Sequence, residues 1–158
     1  MKTFKIIICL LVCCFLYSCN KGGLVDESMS DSYFYSKDKS KIYYKNIKSL
    51  DFSKSWNYEW EEVPANAKFF KVMEGGFGKD GKHIFFGSKI IKNVDYDTFR
   101  KVEDSDNFID KNNFFVGDKI IPNINPEEVI FDTKNNKISY RGKVWNWQTE
   151  AFDVVEKK

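Results

Sequence analysis

A short pattern written four times constrains this chain more than any other feature. Lys79–Gly87 reads Lys-Asp-Gly-Lys-His-Ile-Phe-Phe-Gly: a polar turn, a brief aromatic strand, and a glycine that turns the chain again. Versions of it recur at Lys37–Tyr44, Asp110–Gly117 and Lys134–Gly142. Turn residues alternating with short aliphatic and aromatic runs specify strands, not helices. An aromatic share of 17% and a scarcity of alanine point the same way. The expected fold is mainly β: repeated antiparallel β-hairpins or a meander, about four repeats, with short one-turn helices between them.

Aligning the copies gives columns with physical meaning. Ile42, Ile84, Phe114 and Ile138 form one column. Tyr44, Phe86, Val116 and Tyr140 form another two residues on, on the same strand face, and this face is expected to be core. The column between them holds Tyr43, Phe85, Phe115 and Ser139, which implies either a second apolar layer or an exposed aromatic surface. Asp38, Asp80 and Asp110 recur at the turn, where a carboxylate accepts hydrogen bonds from the backbone just ahead. Lys134 or Asn135 stands there in the last copy. Gly87-Ser88 and Gly117-Asp118 suit two-residue hairpin turns, and Gly142-Lys143 fills that role at the end. Asn46 reads as a turn that starts a further strand, Ile47–Phe52. One-turn segments are expected in Pro64–Val72, at Asp95–Phe99 with Asp95 as cap, and at Asn125–Val129 with Asn125 as cap and Pro126 at the first position. Glu150–Val155 is similar to these.

Ser53–Val63 has no counterpart in the other copies. Its Trp56, Tyr58 and Trp60 are two apart and share a face of a strand, which is the expected form, although Trp56 and Trp60 would also share a helix face. With Trp145 and Trp147 they are the candidate contacts for a ligand or partner. Aromatic side chains on strands stack on sugars or anchor proteins. The same rings would equally fill a core or shield the end of a repeat stack.

Asp38-Lys39-Ser40-Lys41-Ile42-Tyr43-Tyr44, Asp80–Phe86, Asp110–Phe115 and Asp95-Tyr96-Asp97-Thr98-Phe99 resemble the DKNYY repeat family of bacterial proteins over nearly all of residues 33–155. Phe often replaces Tyr here, and the last copy lacks the aspartate. The resemblance implies repeated extracytoplasmic modules, often on lipoproteins, with no established activity and no catalytic residue to carry over.

The N-terminus supports an envelope location. Lys2 and Lys5 precede an uninterrupted apolar run, Ile6–Leu16, of eleven residues. That is too short to span a bilayer and suits the core of a signal peptide. Leu16-Tyr17-Ser18-Cys19 then resembles a bacterial lipobox. This implies a signal peptide over residues 1–18, lipid on the Cys19 thiol, and membrane attachment through that N-terminal anchor. Asn20, in place of an aspartate that would resemble an inner-membrane retention signal, favours the outer membrane over the inner. Residues 19–32 read as a flexible tether after Cys19, Asn20–Ser32 being polar, with two glycines and no periodicity. The domain is then expected over residues 33–158.

Several function classes fall away. Setting aside Lys2 and Lys5, 23 basic residues face 23 acidic ones, so nothing suggests a nucleic-acid partner. All four cysteines, Cys9, Cys13, Cys14 and Cys19, lie in or beside the leader, so packing and not disulfides must hold the body. His83 is the single histidine. Gly75–Gly78 lacks the Lys-Ser/Thr ending of a phosphate loop, and neither Asn93–Asp97 nor Asp104–Asn107 has the spacing of a helix-loop-helix calcium loop. No carboxylate pair stands out for glycoside hydrolysis. The expectation is a non-enzymatic domain without metal or cofactor, presenting an interaction surface to a protein or glycan. Carbohydrate binding through the tryptophans is the alternative, and an envelope-polymer hydrolase comes third.

Overall fold

A computed structural model of the chain describes residues 21–49, 57–103, 105–135 and 137–154. Among them are sixteen strands: β1 (Lys21–Leu24), β2 (Tyr33–Ser36), β3 (Ile42–Ser49), β4 (Asn57–Val63), β5 (Lys71–Val72), β6 (Phe77–Lys79), β7 (Ile84–Phe86), β8 (Lys89–Ile90), β9 (Arg100–Lys101), β10 (Phe108–Ile109), β11 (Phe114–Val116), β12 (Lys119–Ile121), β13 (Val129–Asp132), β14 (Lys137–Tyr140), β15 (Lys143–Asn146) and β16 (Ala151–Val154). They form four antiparallel four-stranded sheets, each a run of consecutive strands: β1 to β4, β5 to β8, β9 to β12 and β13 to β16. Within each sheet consecutive strands are neighbours, and two-residue loops join β7 to β8, β11 to β12 and β14 to β15. The repeated-hairpin reading of the sequence describes this architecture.

The repeated motif supplies the third strand of the first three sheets, namely β3, β7 and β11. In the last sheet it supplies the second, β14. That sheet lacks the leading strand of the others and gains β16 at its end. Within Glu150–Val155, the described residues Ala151–Val154 are therefore a strand and not a one-turn segment. Phe152 pairs with Trp145 and Ala151 with Asn146, and the Phe152 ring packs into the core.

The chain divides into two compact units, one holding residues up to Gly81 with Gly87–Lys89, the other Lys82–Phe86 with Ile90 onward. In the first, Tyr33, Ile42, Val63, Phe70, Val72 and Phe77 are buried. The Tyr33 ring packs against Tyr44 and Phe70 at about 5 Å, and its hydroxyl shares one proton between the Gly76 and Gly87 carbonyls at 2.8 and 3.0 Å. In the second, Phe99 stacks on Phe108 and meets Phe115 edge-on, each at 5.2 Å. A further cluster gathers Ile109, Phe114, Val129, Ile138, Tyr140 and Trp145.

The predicted core column holds: Ile42, Ile84, Phe114 and Ile138 are all buried. Of the column two residues on, only Tyr140 is fully buried; Tyr44, Phe86 and Val116 are half-buried. The intervening column splits. Phe85 and Phe115 are fully buried and form a second apolar layer, whereas Tyr43 lies half-exposed on an aromatic face.

The motif aspartate does more than close its own turn. Asp110 Oδ1 accepts from the backbone N–H of Asn112 and Asn113, both at 2.7 Å, and Oδ2 accepts from the N–H of Asp95 at 2.7 Å. Asp80 Oδ2 likewise accepts from the N–H of Asn66 at 3.0 Å. Both carboxylates are buried. Asn66 and Asp95 in turn cap the single turns that follow them, accepting from Lys68 N–H and Thr98 N–H. Each buried aspartate thus latches a preceding one-turn segment to its hairpin, satisfying donors that burial would otherwise leave unpaired. In the last copy, where the aspartate is missing, the Asn125 N–H donates to the Tyr140 hydroxyl at 3.3 Å. Asn125 caps the short 3-10 turn Pro126–Glu128 as the sequence indicated.

Two expectations are corrected in the first unit. The stretch read as a tether is folded from Lys21: β1 pairs with β2, and Asp26 and Ser30 close the connection by accepting from Ser28 N–H and Ser32 N–H. A side chain at Gly22 would sit 2.7 Å from the Ser36 carbonyl oxygen, so the glycine serves close strand approach and not flexibility. Asn46 makes no turn. It lies within β3 opposite Glu59, and its side-chain amide donates to Glu61 across the pair at 3.2 Å.

Candidate functional site

The longest hairpin among the described residues, β3 with β4, sets the geometry of the candidate site. Its register places Ile42 opposite Val63, Tyr44 opposite Glu61 and Asn46 opposite Glu59 on one face. The other face carries Tyr43 opposite Glu62, Lys45 opposite Trp60 and Ile47 opposite Tyr58. On β2, Tyr33 pairs with Tyr44 and is buried, while Phe34 pairs with Tyr43 and so lies on the second face. Strand alternation alone therefore divides the sheet into an inner face that packs and an outer face of aromatic rings.

The outer face is organised around Trp60. Its ring meets Phe34 edge-on at 4.9 Å between centroids, although the two residues lie on strands that flank β3. The indole therefore lies across the sheet, which leaves it half-buried. The Lys21 Nζ of β1 stands 3.7 Å from the centre of the Trp60 ring, and the Lys45 Nζ stands 4.3 Å from the centre of Tyr58. Both are cation–π contacts, each stabilising by about 0.5–1 kcal/mol at exposed sites. Desolvation against the ring lowers the Lys21 ammonium from its ordinary value of 10.5. Among the described residues neither lysine has a carboxylate partner. Two other lysines of this region do have one, Lys41 with Glu62 at 2.8 Å and Lys48 with Glu59. Glu61, on the inner face, is held below its ordinary range by the Ser88 hydroxyl and the Asn46 amide.

Of the residues singled out in the sequence, Tyr58 and Trp60 do share a strand face, with Tyr58 exposed. Trp56 and Cys19 lie outside the described residues. Trp145 is buried and not presented at the surface. At 4% exposure it belongs to the core cluster, edge-on to Phe152 at 5.2 Å and Phe114 at 6.3 Å. Trp147 is 53% exposed and meets only the edge of Trp145 among the ring contacts described. Of the described tryptophans, Trp60 is half-buried, Trp147 exposed and Trp145 buried. Phe34, Lys21 and Lys45 escaped the sequence reading. Carrying the Tyr43 alternation straight through Asn46 would have placed Lys45 and Ile47 beside Tyr43.

A family model described as the DKNYY family matches residues 24–109 and again 77–158. The chain belongs to the DKNYY family. The two matches overlap, as they should if the family's unit is itself built of recurring modules. The first begins within β1, in agreement with a domain that starts before Tyr33. In two of these DKNYY modules the aspartate, Asp80 or Asp110, is the buried latch, and the residues that follow are the motif strand. No curated protein and no solved structure matches the chain.

Elsewhere, an open cleft of about 420 Å³ is lined by Thr98, Arg100, Asp110, Lys111, Glu127 and apolar neighbours. Its one deep carboxylate, Asp110, already accepts three backbone hydrogen bonds and the Asn113 amide. Such an acceptor is structural and has no lone pair left to act as a base. His83, the other residue with catalytic chemistry, does not line this cleft; its ring lies edge-on to Phe85 at 6.1 Å. Asp95 is engaged by Thr98 and Lys111. Among the described residues no three His, Cys, Asp or Glu side chains are grouped to hold a metal.

Proposed function

We propose that this DKNYY protein is a lipid-anchored component of the bacterial envelope that works by presenting a surface and not by catalysis. The observation that carries the reading is the outer face of the first sheet: a half-buried Trp60 and an exposed Tyr58, each with an ammonium group seated on its ring, neither neutralised by a carboxylate among the described residues. Such a face exposes aromatic area beside unneutralised cations, and exposed apolar patches with polar rims mark interaction sites. Anchorage is drawn from the leader and Cys19, and Asn20 directs the anchored chain to the outer membrane. Carbohydrate stacking is the weaker reading, because a sugar would have to displace Lys21 from the Trp60 ring. A hydrolase is weaker still, since the Asp110 carboxylate of the open cleft is spent on backbone donors.

Two experiments test the proposal. Metabolic labelling with a fatty-acid analogue is expected to mark the wild-type chain and not a Cys19→Ser variant; label kept by that variant would overturn the anchor. A photo-crosslinking side chain at position 58 is expected to capture an envelope component in intact cells, while the same group at exposed position 154 is not. Equal capture at both positions would overturn the surface assignment.

A further inference from the structure

Resting on the anchored reading above, the geometry points to the occupant of this face: we propose that the outer face of β1–β4 docks on the anionic bilayer surface to which the chain's own N-terminus is attached. Three observations converge on it. First, β1 starts at Lys21, two residues after Cys19, so the backbone between anchor and sheet spans at most about 7 Å. A lipid on Cys19 leaves the sheet no slack to stand away from the headgroups. Second, Lys21 itself belongs to the face, with its Nζ over Trp60. The first residue of β1 and the centre of the aromatic patch are therefore in contact. Third, the chemistry matches a phospholipid interface. Tryptophan and tyrosine prefer the headgroup level, and lysines lay their stems on apolar surface while presenting the ammonium to phosphate. Phe34 and Tyr43 supply the apolar floor, and Lys21 and Lys45 are without carboxylate partners among the described residues, so a lipid phosphate is their natural counter-ion. A glycan would use the rings but leave both ammonium groups unpaired. A protein partner would not require the patch to begin at the anchor.

The test uses the mature acylated protein in vesicles of phosphatidylcholine with phosphatidylglycerol, carrying lipids brominated near the headgroup end of the acyl chain. Tryptophan quenching is compared between wild type and Trp60→Phe, and acylation of Cys19 is read by mass spectrometry on the same preparation. The expected result is a quenched component that disappears in Trp60→Phe. It also weakens in Lys21→Glu and Lys45→Glu, surface variants that leave the core intact, with the docking equilibrium shifting roughly fivefold or more per lysine. Acylated protein whose Trp60 is unquenched would overturn docking and leave the anchor standing. Unacylated protein whose Trp60 is quenched on adding the vesicles would do the reverse. Quenching indifferent to both lysine substitutions would overturn the docking assignment as stated.

Discussion

Asp110 shows what a single residue of the motif does. Its carboxylate serves the N–H groups of Asp95, Asn112 and Asn113 from a buried position. Asp110→Ala is expected to destabilise the fold by about 3 kcal/mol or more, since each buried donor left unsatisfied costs about 1–3 kcal/mol. Asp38 occupies the same motif position but is exposed, and among the described residues it bonds Ser36 and Ser40. Asp38→Ala should cost about 1 kcal/mol or less. Urea denaturation of the two variants measures the contrast. Trp145 and Trp147 make a second pair. Trp145→Ala should cost about 3–5 kcal/mol, as expected for an aromatic core truncation, while Trp147→Ala should stay within about 1 kcal/mol. The sequence could not separate these two residues. Trp145 lies on β15 and Trp147 in the turn just after it, and only the cross-strand partner Phe152 marks Trp145 as inward.

At the scale of elements, the motif strands were readable because their signal is local. Period-two alternation put Ile42, Ile84, Phe114 and Ile138 inward, and the structure buries all four. The hairpin turns were readable for the same reason: Gly87 and Gly117 carry positive φ of 58° and 57°. The N-terminal strand was not. Glycine, serine and aspartate compose both a loose linker and a tight ordered turn, and the difference lies in Ser36, fourteen positions beyond Gly22, whose carbonyl leaves no room for a side chain. Asn46 misled in a similar way, because its partner Glu61 is distant in sequence. Close packing against a strand also governs β6. A Cβ at Gly78 would fall 2.4 Å from the Phe70 ring, so Gly78→Ala should cost about 1–3 kcal/mol. Combining it with Phe70→Leu should cost less than the sum of the two single changes, a coupling that a double-mutant cycle reads directly.

For the whole molecule, surface carboxylates set the acid limit. Bonds from Ser36 and Ser40 hold Asp38 down to about 2, and Arg141 with Asn125 holds Glu128 at about 2. Lys111 lowers Asp95, and Asn135 lowers Asp132. Each group is more acidic folded than unfolded, so between these values the unfolded chain binds more protons and stability rises with pH. Their contribution is complete above about pH 5 and is lost as pH falls toward 2. At the alkaline end, burial raises the Tyr33 hydroxyl above its ordinary value of 10.0. The unfolded chain ionises there first, so stability declines above about pH 10. Thermal melts across pH should show a plateau between these limits, and a midpoint that rises steadily toward pH 2 would contradict it.

The single most direct measurement is lysine footprinting in intact envelopes, with an amine-acylating reagent that reaches the extracytoplasmic space. If the outer face of the first sheet is the working surface, Lys21 and Lys45 are protected in the envelope relative to the purified protein. Lys134 and Lys143, exposed on the last sheet and its turn, react equally in both. Lys21 and Lys45 reacting as freely in the envelope as in solution would contradict it.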